Sequence, residues 1–357
     1  MLSKGAAVTA EWLTERLRAY GGLQSGHIVS VRETANDAFT SLVVHLDVEY
    51  SKDAEPGLPR RLLLKRMDSA WGEREVGFYR SAMADSGGSV RWPLVQCLEA
   101  TYDDSTGRSQ VLLVDLTASH ASPISRERLI AREMPSLVDL ASVMRALGGF
   151  HAKWWEDPRI AVEEPFLVRS WYSDPAAFGE HLARREREVE DLKVPTVDEE
   201  IIEFYEQALR RLPVLWDRFL ADRMRDRRAL TMSHGDCYLT QWLCPRSGDG
   251  STYVVDFDSV SGNVPAFDLV YLLAAFSMAE SRRGYELEML REYHRSLRSE
   301  GVSAYDWESL VLDYRLMLSF IVFDPVFDHS NGSRREYWWP KMSSLIDAYR
   351  DWGSPVA

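Results

Sequence analysis

Cysteine is scarce in this chain. Three occur among 357 residues, at positions 97, 237 and 244, and none sits in a CxxC pair, so neither a disulfide framework nor a structural zinc site is indicated. A reducing, cytoplasmic setting is the expectation. No run of about 18 apolar residues occurs, and the N-terminus lacks a basic segment leading into a short apolar run and cleavage signal. Neither membrane spanning nor secretion is expected. Positive charge is in deficit, with 42 Lys+Arg against 55 Asp+Glu and a net charge of -13, so the average field repels nucleic acid and anionic bilayers. Only 6 of those 42 cations are lysines, which makes each lysine a candidate for a particular task. There is no Walker A motif either. What remains is ample for a folded enzyme, since 45% hydrophobic and 11% aromatic residues can build one large core or two moderate ones.

Periodicity changes once along the chain. Residues 8–20 read as a short helix, and strand patterns follow at 27–34, 41–50 and 61–67, the last two separated by a turn-rich linker. Glu75, Phe78 and Tyr79 share helical spacing in 72–84, and further strands are expected near 90–101 and 110–116. Residues 117–123 are rich in breakers and suit a hinge. Beyond them helical patterns dominate, at 136–156, 199–227, 267–280, 284–298, 306–320 and 336–351, interrupted by short strands near 241–243 and 253–257. The pair Gly148 and Gly149 weakens the first of these helices, and the charged run 180–191 reads as a solvated helix face. The pattern predicts an α+β protein with a sheet-containing domain over 1–116 and a larger helical domain over 117–357.

The densest chemistry lies in His234-Gly235-Asp236, followed after four residues by Gln241, then Asp256 at a strand end, Asp258, and Asp268 before an apolar helix. Two carboxylates about twenty residues apart, one on a loop and one ending a strand, fit the division of labour in phosphoryl transfer. One orients the attacking hydroxyl and accepts its proton, and the other holds Mg²⁺ against nucleotide phosphates. Asp236 suits the first task and Asp256 the second, although isolated aspartates also cap helices and satisfy turns. In the N-terminal part, Lys65 ends a strand-like run and Glu75 lies in the next helix, a pairing that would aim the lysine at phosphates.

This ordered set resembles the aminoglycoside phosphotransferase and choline-kinase-like superfamily of small-molecule kinases. The resemblance implies a bilobal protein-kinase-like fold, with a small antiparallel-sheet N-lobe and a large, mostly helical C-lobe. It implies Asp236 as catalytic base or hydroxyl-positioning residue, His234 as support for the catalytic loop, and Asp256 as metal ligand. Gln241 falls where the family carries a metal-binding Asn; its amide oxygen is a suitable donor, but the added methylene changes its reach. Lys65 and Glu75 match the nucleotide-binding lysine and its helix partner. Ala35, Asn36 and Thr40 occupy the phosphate-covering loop, here without an internal glycine, and Val114, Asp115 and Leu116 fall at the adenine-recognising hinge.

The implied cofactors are ATP, with GTP as the alternative nucleotide, and Mg²⁺. The implied partner is a small hydroxylated metabolite or antibiotic such as an aminoglycoside or nucleoside, with no nucleic acid or membrane; homo-oligomerisation is left open. Glu280, Asp324 and Asp328 are candidates to attract a cationic amine on that acceptor, with Trp339 as an aromatic wall. His151 reads as a packing residue and Asp268 as a loop-supporting carboxylate. The competing reading, prompted by Gln241 and the glycine-free loop, is a noncatalytic nucleotide-binding pseudokinase or biosynthetic scaffold.

Overall fold

The alternating segments of the first 114 residues form one sheet, and helices dominate the remainder. The computed structural model describes residues 7–37, 41–85, 93–162 and 164–356. The chain begins with α1 (Ala10–Ala19), β1 (Ile28–Asp37), β2 (Leu42–Tyr50), β3 (Arg61–Met67), α2 (Ala70–Asp85), β4 (Cys97–Asp103) and β5 (Arg108–Val114). All five strands pair antiparallel in the order β1-β2-β3-β5-β4. Thr9 caps α1 by accepting the Trp12 N–H, and Leu13 and Leu17, one turn apart, pack into a core with Val44, Leu46, Leu62, Leu64 and Leu112. Because strand side chains alternate faces, burying Leu62 and Leu64 there sends Leu63 and Lys65 to the other side of β3.

The expected loop over 35–40 needs correction at its start. Ala35, Asn36 and Asp37 extend β1, pairing with Val44, Val43 and Leu42, so the antiparallel ladder claims three residues read as phosphate-covering loop. Thr40 lies outside the described residues.

After β6 (His120–Ala121) come α3 (Arg126–Ile130), α4 (Leu137–Lys153), α5 (Pro158–Val162), α6 (Pro175–Asp191), α7 (Glu199–Leu215) and α8 (Ala221–Asp226). The short strands β7 (Thr231–Ser233), β8 (Trp242–Pro245), β9 (Tyr253–Val254) and β10 (Ser261–Asn263) interrupt the helices. The chain closes with α9 (Ala266–Leu273), α10 (Ala279–Ser299), α11 (Trp307–Ile321), α12 (Asp324–Ser330) and α13 (Arg335–Trp352). Two compact units result. The first comprises Met1–Ala121, Pro165–Leu167 and Pro245–Val260, and the second comprises Ser122–Glu164, Val168–Cys244 and Ser261–Ala357. Asp256 therefore belongs to the unit that carries Lys65. The architecture is that of a bilobal protein-kinase-like protein, with an antiparallel-sheet N-lobe and a mostly helical C-lobe. Among the described residues no helix is long and apolar enough to cross a membrane.

Two helical expectations change. α6 is not a fully solvated charged face: His181, Arg185, Glu188 and Val189 recur at helical spacing and are buried, with Arg185 paired to Glu188 at 2.5 Å and lying over the rings of Trp171 and Phe327. α4, in turn, runs unbroken through its two glycines because one of them is a packing site. A Cβ at Gly148 would stand 2.7 Å from Ser296 Cβ on α10, whereas one at Gly149 would meet nothing within 4 Å. Two neighbouring substitutions should therefore have opposite signs. G149A is expected to stabilise the protein by about 0.5–1 kcal/mol through helix propensity alone, and G148A to destabilise it by roughly 1–3 kcal/mol through overpacking. Urea unfolding of both variants against the wild type checks this, and a stabilised G148A would contradict the close helix contact.

Candidate active-site residues

In the first unit the centre of charge is Lys65. Its Nζ lies 2.9 Å from a carboxylate oxygen of Glu75 on α2 and 2.5 Å from Oδ1 of Asp256. Burial works against the ammonium, but the two carboxylates outweigh it and raise the Lys65 pKa above its ordinary value. Burial, partly offset by Lys65, raises that of Glu75. Glu75, Phe78 and Tyr79 share one face of α2, and this same face fixes the segment carrying Asp256. Phe257 stacks on Phe78 at 4.0 Å and meets Tyr79 edge-on at 5.7 Å. Asp256 itself has φ 74°, a left-handed conformation that costs a non-glycine residue energy and that its surroundings must hold in place. One helix thus supplies the lysine's partner and the aromatic seat for the next residue in the chain after Asp256.

Of the hinge candidates, Val114 and Asp115 have their backbone N–H groups committed, to the carbonyls of Gln96 and Arg61, both at 3.0 Å. The Asp115 side chain is also occupied. It accepts from the Thr117 hydroxyl and backbone N–H and contacts His45 Nδ1 at 2.9 Å and Arg61 at 3.2 Å. Burial opposes its ionisation, but these partners hold it below the usual carboxylate range. Asp115 thereby ties β2 and β3 to the end of β5.

In the second unit, β7 pairs with β10 and delivers the chain into His234-Gly235-Asp236. Gly235, at φ 87°, makes the turn that a side chain would strain. The loop is clamped from beneath by Asp268, whose carboxylate accepts the backbone N–H of His234 at 2.7 Å and of Gly235 at 3.1 Å. His151 Nε2 lies 3.0 Å from the same carboxylate and Nδ1 2.8 Å from the Tyr293 hydroxyl. A carboxylate only accepts, so Nε2 carries a proton and donates it to Asp268. His151 and Asp268 are both buried, so they act through the loop. Asp236 follows the clamped turn and accepts a hydrogen bond from Gln241 Nε2 at 3.1 Å, made by the short helical turn Leu239–Gln241. Gln241 thus has a positioning contact with Asp236 that the sequence pattern did not indicate.

Asp324 and Asp328 lie one turn apart on α12 and converge on a cation of the protein's own, Lys341 of α13. Glu280 stays exposed in the first turn of α10, and Trp339 points elsewhere, lining a 230 Å³ surface hollow with Ile201 and Met342 beneath the Arg335 guanidinium. Sequence reasoning missed Lys341, and also Tyr238 and Tyr271, whose hydroxyls donate to Asp324 at 3.3 and 3.1 Å. The rarity of lysine was the available signal for the first, and the helical pair Tyr337/Lys341 opposite Asp324/Asp328 would have sharpened it.

The chain belongs to the Ecdysteroid kinase-like family, whose sequence pattern matches residues 35–301. No curated protein matches the sequence. Among solved structures it is similar to APH(2")-IIia in complex with GDP and kanamycin, at TM-score 0.54 and 15% identity over 95% of this chain and 97% of that one. It is also similar to the GDP complex of aminoglycoside 2'-phosphotransferase-IIIa, at 0.53 and 13% over 97% and 100%. A third similarity is to an ethanolamine kinase of Plasmodium vivax, at 0.50 and 9% over 91% and 85%.

Proposed function

We propose that the protein is an ATP-dependent O-phosphotransferase that moves the γ-phosphoryl group to a hydroxyl of a small molecule. The observation that carries this reading is Lys65, held on a central strand by buried Glu75 and reaching Asp256, an arrangement suited to presenting a fixed cation to nucleotide phosphates. In this reading Asp236, steadied by Gln241 and by the Asp268 clamp on its loop, orients the acceptor hydroxyl and takes its proton. The Leu116 N–H, which has no hydrogen-bond partner among the described residues, is the hinge donor available to a purine.

The donor set also suits magnesium. Asp256 offers a partly exposed carboxylate, a hard donor, and such sites need only one or two protein ligands beside the phosphates. Asp256 is the residue that would hold the ion, which when bound neutralises charge on the phosphate oxygens. Among the described residues no group of three or more His, Cys, Asp or Glu that could hold a metal ion occurs.

The test is nucleotide turnover with Mg²⁺ across a panel of hydroxylated acceptors, including amino sugars, nucleosides, amino alcohols and polyhydroxylated apolar compounds. Wild type is expected to phosphorylate at least one class, with D256A reducing turnover by about 10²-fold or more. Nucleotide binding without transfer across the panel would favour the pseudokinase or scaffold reading.

A further inference from the structure

Helices α12 and α13 face each other through two pairs of residues at one-turn spacing, Asp324/Asp328 and Tyr337/Lys341. Lys341 is 1% exposed, and three groups engage its ammonium. Nζ donates to Asp324 at 2.6 Å and to the Tyr238 hydroxyl at 3.2 Å, and forms an ion pair with Asp328. Three aromatic faces surround the same nitrogen, with ring centroids 4.9 Å away for Tyr337, 5.7 Å for Tyr238 and 6.0 Å for Phe276. Two carboxylates and three ring faces are what a binding site for a ligand ammonium requires. Here the occupant is tethered to the protein.

The cage adjoins the proposed acceptor position. Tyr238 is two residues beyond Asp236, and its hydroxyl donates to Asp324 at 3.3 Å. Asp236 is also near enough for its charge to act on Asp328, whose pKa rises to about 6 through burial and through repulsion from Asp324 and Asp236, against the pull of Lys341. The cage is not sealed: the Asp324 and Asp328 side chains keep 19% and 15% exposure. An incoming amine would nevertheless meet an ammonium already in place, with its carboxylates shared and its ring faces used.

We propose that Lys341 is a built-in cation that fills the acceptor-side ammonium cage, so that the acceptor carries no positively charged amine beside the hydroxyl that receives the phosphoryl group. The proposal rests on the reading of Asp236 as the hydroxyl-orienting residue. It makes Lys341 a specificity-determining residue, and the two aspartates, which on sequence grounds alone would attract a cationic acceptor, serve the lysine instead.

Its test requires no phosphoryl transfer, so its failure is distinguishable from failure of the kinase reading. K341A removes a segment with the shape of n-propylammonium. Calorimetric titration of the full-length variant is expected to show n-propylammonium binding at least tenfold tighter than 1-propanol, and glucosamine at least tenfold tighter than glucose. Wild type should show neither preference. The triple variant K341A/D324N/D328N, which leaves no uncompensated charge in the cage, should lose both. If K341A does not fold, K341A/D328N retains one carboxylate and is read by the same two ratios. A wild type that prefers glucosamine as strongly as the variant overturns the proposal. So does a variant that takes n-propylammonium but does not distinguish the two sugars, because Lys341 would then be a structural ion pair alone.

Discussion

D236N is expected to reduce kcat for acceptor phosphorylation by about 10²–10⁴-fold, the range that a positioned general base contributes. The substitution keeps the shape of the side chain, and an amide oxygen can still accept from Gln241 Nε2, so the loop should stay in place. What is lost is the charge that attracts the acceptor's proton. Nucleotide affinity, which the proposal assigns to Lys65 and its partners in the other unit, should change by less than about twofold, a difference within 0.5 kcal/mol. Steady-state turnover with the best acceptor from the panel, paired with nucleotide titration, measures both. A kcat within fivefold of wild type would remove Asp236 from the chemistry. Equal losses of turnover and nucleotide binding would mean that the variant had lost its fold.

The second large effect falls on stability. D268A deprives three donors of their acceptor: the buried N–H of His234, the buried Nε2–H of His151 and the half-buried N–H of Gly235. Leaving a buried donor unsatisfied costs about 1–3 kcal/mol, so the variant should lose roughly 3–6 kcal/mol. D268N retains one acceptor oxygen and should fall between D268A and wild type. Its new NH₂ must also be placed among donors, so recovery will be partial. Urea unfolding of the three proteins gives the order, and a D268A within 1 kcal/mol of wild type would show that the loop is held by something else. In D268N, slower turnover with unchanged acceptor affinity would mark Asp268 as a positioning residue for Asp236 rather than only a structural one.

The strands of the first unit were readable because alternation over β2 and β3 records which face is buried, and Leu62 and Leu64 on one side place Lys65 on the other. Glu75 was readable for a similar reason, since its helical spacing with Phe78 and Tyr79 survives into the folded face that carries Phe257. The boundary of β1 was not. Ala35 to Asp37 carry no strong strand signal, and they are strand because β2 offers them partners. Cross-strand pairing is a non-local benefit that a local pattern does not record. The same limit explains α6, where charged residues read as solvated until Trp171 and Phe327 supply the rings that cover Arg185. It also explains α4, whose glycines look like a weakness until α10 packs against one of them.

By itself the sequence determined the α+β class and the order of the main elements, and it proposed the residues for the expected chemistry: Lys65, Glu75, Asp236 and Asp256. These are local facts, written in period, in turn residues and in motif spacing. The pairing of Lys65 with Glu75 and the support of a loop by Asp268 were also legible. Tertiary structure alone decided that Lys65 bridges Glu75 to Asp256, 181 residues further along the chain, and that Lys341 closes on Asp324 and Asp328. A carboxylate's role depends on which cation and which donors folding brings to it, and burial makes each choice costly to undo. The sequence thus supplied the charged residues, and the fold paired them.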